Sequence, residues 1–125
     1  MRSQLLLFIL GVVVWARSIH NGTVNYDTPW LVVDNPLLTP GSPAVIPAIF
    51  TDISLGTRMV LGAEYLPFRD LSVLLDFALF GDAWWAHHAT NLAWYLLSCG
   101  LLLALFEKLL PDRRQAWLAA ALYTV

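Results

Sequence analysis

The sequence is short of charge and nearly empty of cysteine. Only 13% of its 125 residues are Asp, Glu, Lys or Arg, against 58% hydrophobic. A soluble domain usually carries about 25% charged residues, so the composition points away from an ordinary soluble protein. A net charge of −2 provides no bulk attraction for nucleic acid. The single cysteine, Cys99, excludes an internal disulfide framework and any multi-cysteine zinc or iron–sulfur site, and its apolar surroundings mark it as a packing residue. The chain also lacks a Gly-rich phosphate loop, an H-E-x-x-H or C-x-x-C motif, a nucleophile elbow, internal repeats and low-complexity tracts. An active site of the soluble type is not indicated.

What is present is apolar and aromatic. Six Trp, four Tyr and six Phe suit the membrane–water interface. From Ala83 to Phe106 the only ionisable side chains near neutrality are His87 and His88, close to the start. A helix of that length crosses a hydrocarbon core of about 30 Å. Trp84 and Trp85 anchor one end, and Glu107 and Lys108 close the other.

Leu5 to Ala16 supplies a shorter apolar run before Arg17, the length of a signal-peptide core. An uncleaved first transmembrane helix is favoured, because Trp15 stands where cleavage prefers small residues and Arg17 can snorkel. A third apolar run opens at Ala116 and continues to Val125. Such a short helix would leave its last carbonyls unsatisfied in hydrocarbon, so the expectation is that the chain is the front piece of a longer protein.

The expected organisation is all-α and integral to a membrane. It comprises a transmembrane helix over 1–20, an extracytoplasmic loop over 21–82, a second transmembrane helix over 83–108, a cytoplasmic connection over 109–115 and the start of a third helix over 116–125. Arg2, Lys108, Arg113 and Arg114 place the N-terminus and the connection on the cytoplasmic side. The loop, with seven acidic residues against Arg58 and Arg69, faces outward.

Five of the seven prolines, Pro29, Pro36, Pro40, Pro43 and Pro47, fall in the first half of the loop and exclude a long helix there. A short helix started by Pro47 can run to Ile53. Beyond Pro67, Asp70 can cap a helix through Leu79 that stops at Gly81, too short to span a bilayer and apolar almost all round. That interface helix, about 70–80, would roof a space above the bilayer suited to a substrate with a lipid tail and a polar head.

Several residues can carry chemistry, each with a plainer alternative. Asp27, flanked by Tyr26 and Trp30, can act as a base toward a hydroxyl, or simply start a turn before Pro29. Arg69 can hold a lipid phosphate, or pair with Asp70 or Glu64. His87 or His88, Asn91, Tyr95 and Ser98 share a helix face, which can line a wet cavity or hydrogen-bond to other helices. The adjacent histidines point about 100° apart on a helix and do not readily share a metal ion. Asn21-Gly22-Thr23 fits the glycosylation acceptor pattern.

The order of these segments resembles a known family. Asn21-Gly22 with Val24 to Asp27 is followed by Asp34-Asn35-Pro36, Ile49-Phe50-Thr51, and Tyr65 to Asp70 with Leu71-Ser72. Then come Leu75 to Gly81 and His88-Ala89-Thr90-Asn91-Leu92. From about Leu5 to Val125 the chain is similar to the N-terminal part of the polytopic C-type glycosyltransferases, especially the transmembrane and tetratricopeptide-repeat O-mannosyltransferases and their bacterial relatives. The resemblance implies an enzyme that transfers sugar from a polyprenyl-phosphate carrier to a protein or glycan acceptor on the outer side of a bacterial inner membrane or an endoplasmic reticulum membrane. It places the acid–base carboxylate at Asp27 and substrate contacts at Arg69, Tyr26, Tyr65, His88 and Asn91; no metal ligand is assigned. Asp27 is followed by Thr28 where the family often has a second acid, and Tyr65-Leu66-Pro67-Phe68-Arg69-Asp70 varies the family's order. A function of a different class is a small non-enzymatic subunit packed against a partner membrane protein.

Overall fold

The structure is a computed structural model that describes residues 2–22, 33–38, 42 and 44–125. Every regular element among the described residues is helical. The α-helices are α1 (Arg2–Trp15), α2 (Val45–Thr51), α3 (Leu55–Val60), α4 (Pro67–Phe80), α5 (Trp84–Leu109) and α6 (Arg113–Thr124), with 3₁₀ turns at Ala16–His20 and Pro36–Leu38. Two stretches, Ser3–His20 and Trp84–Leu109, are long and apolar enough to cross a membrane. The chain divides into two compact units, one of residues 1–21 and 88–125 and one of residues 22–87.

In the first unit, α1, α6 and the body of α5 meet around Leu7, Cys99, Leu103 and Ala120, flanked by Tyr95, Phe106, Trp117 and Ala121. Helices α1 and α6 run parallel: the Trp117 indole donates to the Ser3 carbonyl at 3.1 Å, and the Trp15 indole donates to the Thr124 carbonyl at 2.9 Å. Helix α5 runs opposite to them. Close approach rests on small residues. Ala116, Ala120 and Thr124, four residues apart on α6, are fully buried, and Gly11 of α1 abuts Leu96 and Thr124. Apart from the buried Leu7 and Leu103, many large side chains point outward, among them Leu5, Val13, Trp94, Leu101 and Leu122. Small residues inside and bulky apolar residues outside is the arrangement that lets helices associate in lipid.

The end of α6 differs from expectation. Carbonyls left over at a helix terminus need partners. Two of them have partners here: Thr124 O accepts from Trp15, and Tyr123 O accepts from the Tyr95 hydroxyl at 2.7 Å. At its other end α6 is capped by Asp112, whose carboxylate accepts from the Arg114 N–H at 2.9 Å.

The second unit has its own small core of Leu37, Val45, Ile49 and Leu61, with Ala48 and Leu74 packed against it. Helix α2 begins at Val45 rather than Pro47, so the proline occupies the third position of the first turn, where its missing N–H has no intrahelical partner to lose. Helix α4 begins at Pro67, not at Asp70. Proline's fixed φ suits the first helical position, and Asp70 lies within the first turn, almost fully buried. The helix stops at Gly81, whose φ of 54° is a conformation that glycine adopts without strain. Helix α3 is an element the sequence did not announce.

Candidate functional site

In the first unit, the ends of α1 and α5 that lead into the 22–87 segment enclose a cleft. Trp15 and Ser18 line it from one side and His88, Asn91, Leu92 and Tyr95 from the other, around a cavity of about 250 Å³. The aromatic rings of its wall pack on one another: Trp15 and Tyr95 meet edge to face at 6.0 Å, and Tyr95 stacks on Tyr123 at 5.8 Å. Most polar atoms here are already used. The Ser18 hydroxyl donates to Trp15 O at 2.6 Å, and the Tyr95 hydroxyl is spent on Tyr123 O.

His88 Nε2 is the exception. It is buried and has no hydrogen-bond partner among the described residues. A buried polar atom left open in this way is costly unless something else satisfies it. Asn91 adds an amide at the same wall. An imidazole and an amide set among Trp15, Leu92 and Tyr95 can hold a polar group attached to an apolar chain.

The adjacent histidine belongs elsewhere. His87 Nε2 lies 2.8 Å from Gly81 O; the carbonyl only accepts, so the imidazole nitrogen donates. Its Nδ1 is 3.9 Å from the Asp76 carboxylate, and Phe77 and Trp84 pack on the ring. Of the two histidines, His88 therefore shares the cleft with Asn91 and Tyr95.

In the second unit, Arg69 is fully engaged. Nη1 meets Glu64 at 2.5 Å, while Nη2 and Nε meet Asp70 at 2.9 and 3.1 Å. Both pairings anticipated for this arginine occur together. Glu64 is half exposed, whereas Asp70 is buried and its other oxygen has no partner among the described residues. Tyr65 donates its hydroxyl to Phe50 O at 2.9 Å, and its ring lies 4.9 Å from the Arg58 guanidinium. Asp27 and Tyr26 lie outside the described residues.

Arg58 and Asp76 are structural centres that the sequence did not single out. Arg58 is buried, and its guanidinium donates to the carbonyls of Asp52 and Glu64, closing the chain around α3. The available signal was a lone cation in the otherwise uncharged stretch from Ile53 to Ala63. Beside it, hydrogen bonds from the side chain and backbone N–H of Ser54 and from the Thr57 hydroxyl hold the Asp52 carboxyl below its ordinary pKa. Among the described residues no three His, Cys, Asp or Glu side chains gather as metal ligands. No protein-family model, curated protein or solved structure matches this chain.

Proposed function

We propose that the chain supplies the first membrane helices and first outer segment of a C-type glycosyltransferase, which moves a sugar from a polyprenyl-phosphate carrier to an acceptor on the extracytoplasmic face. The observation that carries this reading is the cleft of Trp15, Ser18, His88, Asn91, Leu92 and Tyr95. Its mixture of aromatic wall, imidazole and amide suits the head of a lipid-linked donor, and it lies at the helix ends where a donor's head would emerge from the bilayer. The outward-facing bulky side chains of α1, α5 and α6 support an integral membrane setting.

In this reading His88 and Asn91 orient the donor head, with Trp15 and Tyr95 against the first isoprenoid units. Asp27 takes the proton from the acceptor hydroxyl. The resemblance gives Arg69 a phosphate contact; within its own unit Arg69 is anchored on buried Asp70, and the exposed Glu64 is the partner that a phosphate would replace. Tyr26 and Tyr65 flank these charged groups in sequence.

The test is sugar transfer from a polyprenyl-phosphate donor in membranes of source cells whose chromosomal copy carries Asp27→Asn or His88→Ala. With the protein level unchanged by immunoblot, Asp27→Asn should lower transfer on the order of 100-fold or more. His88→Ala should raise the donor KM. Full transfer by the Asp27→Asn membranes would overturn the proposal.

A further inference from the structure

At the opposite end of the first unit, α1 and α6 leave a groove of about 520 Å³ lined by Ser3, Leu6, Arg113, Arg114, Trp117 and Leu118. Its two cations are unspent. Arg58 and Arg69 are committed to carbonyls and carboxylates, whereas Arg113 and Arg114 are exposed and form no ion pair among the described residues. The carboxylate next to them in sequence, Asp112, accepts from the Arg114 N–H. One acid against two guanidiniums, at the positive end of a twelve-residue helix, leaves the mouth of the groove electropositive.

The walls below the arginines are apolar. Leu6 and Leu118 flank the Trp117 ring, whose N–H is fixed on Ser3 O. We propose that this groove binds an anionic glycerophospholipid, its phosphate at the mouth beside the exposed arginines Arg113 and Arg114 and an acyl chain along Leu6, Trp117 and Leu118. A free phosphate would meet only the arginines and leave the apolar wall uncovered, whereas a lipid covers both. Such a lipid would pin the start of α6 to the start of α1. The inference shares with the proposed function only the membrane setting, not the enzyme chemistry.

The test uses the full chain in vesicles of equal parts phosphatidylcholine and phosphatidylglycerol, followed by flotation, mild detergent extraction and mass spectrometry of the retained phospholipid. Phosphatidylglycerol should be enriched over phosphatidylcholine. Arg113→Gln and Arg114→Gln should each lower that enrichment about fivefold. Lys108→Gln, outside the groove, should leave it unchanged. Circular dichroism checks that the exposed substitutions preserve the helices. A chain that floats but shows no enrichment, or loses it equally with Lys108→Gln, overturns the lipid site alone; a chain that does not float overturns the membrane setting with it.

Discussion

Asp52 shows what a few donors do to one side chain. The Ser54 side chain and N–H and the Thr57 hydroxyl favour its ionised form, so its folded pKa lies below the ordinary 3.8. A carboxyl depressed on folding contributes stability that is present above its unfolded pKa and is lost as pH falls through the folded one. Its contribution to α3 should therefore persist at neutral pH and fade only below about 3.8. Carboxyl NMR of the full chain in micelles should give an Asp52 midpoint below 3.8, and Thr57→Val should move it upward. A wild-type midpoint at or above the ordinary value would refute the arrangement. At this scale the sequence was partly readable. The alternatives for Arg69 named both of its observed partners, because they lie within five residues of it. The choice between His87 and His88 was not readable, since adjacent helical residues diverge and only packing decides which neighbour each meets.

Among the elements, the interface of α1 with α5 and α6 comes closest at Gly11 to the side chains of Leu96 and Thr124. A Cβ there would sit 2.5 Å from Leu96 Cδ2 and 3.2 Å from Thr124 Cγ2. Gly11→Leu should destabilise the chain by about 1–3 kcal/mol through overpacking. Thermal unfolding in detergent checks this, with Gly22→Leu as the control, because nothing lies within 4 Å of a Cβ at Gly22. An unchanged midpoint for Gly11→Leu would mean that the helices do not pack this closely. The long helix α5 was legible because a charge-free run of its length has few alternatives. Helix α4 was legible through Pro67 and Gly81, although its start was misplaced by assigning the cap to Asp70, whose side chain is turned to Arg69. Helix α3 has only six residues, including Gly56 and Thr57, and little propensity of its own. Arg58 holds it in place through carbonyls six residues away on either side, a tertiary effect that local pattern does not carry.

For the molecule as a whole, the main statement concerns which side chains face out. Besides the helices of the first unit, the second unit exposes Ile53, Leu55, Met59, Phe68 and Leu79, while Asp70 and Asp76 are buried. Exposed apolar area on this scale calls for a non-aqueous neighbour. The chain should remain in the pellet after alkaline carbonate extraction of membranes, and release into the supernatant would contradict the lipid setting. Composition foretold this oiliness, but not that polar groups such as Asp70 and Asp76 would be gathered inward. The outward placement of bulky side chains also bears on how the protein is made. In the proposed membrane setting, a ribosome releasing the chain into water would be releasing an aggregation nucleus, so the hydrophobic helices would have to pass to lipid as they emerge, and copies that miss this handover would become substrates for proteolysis.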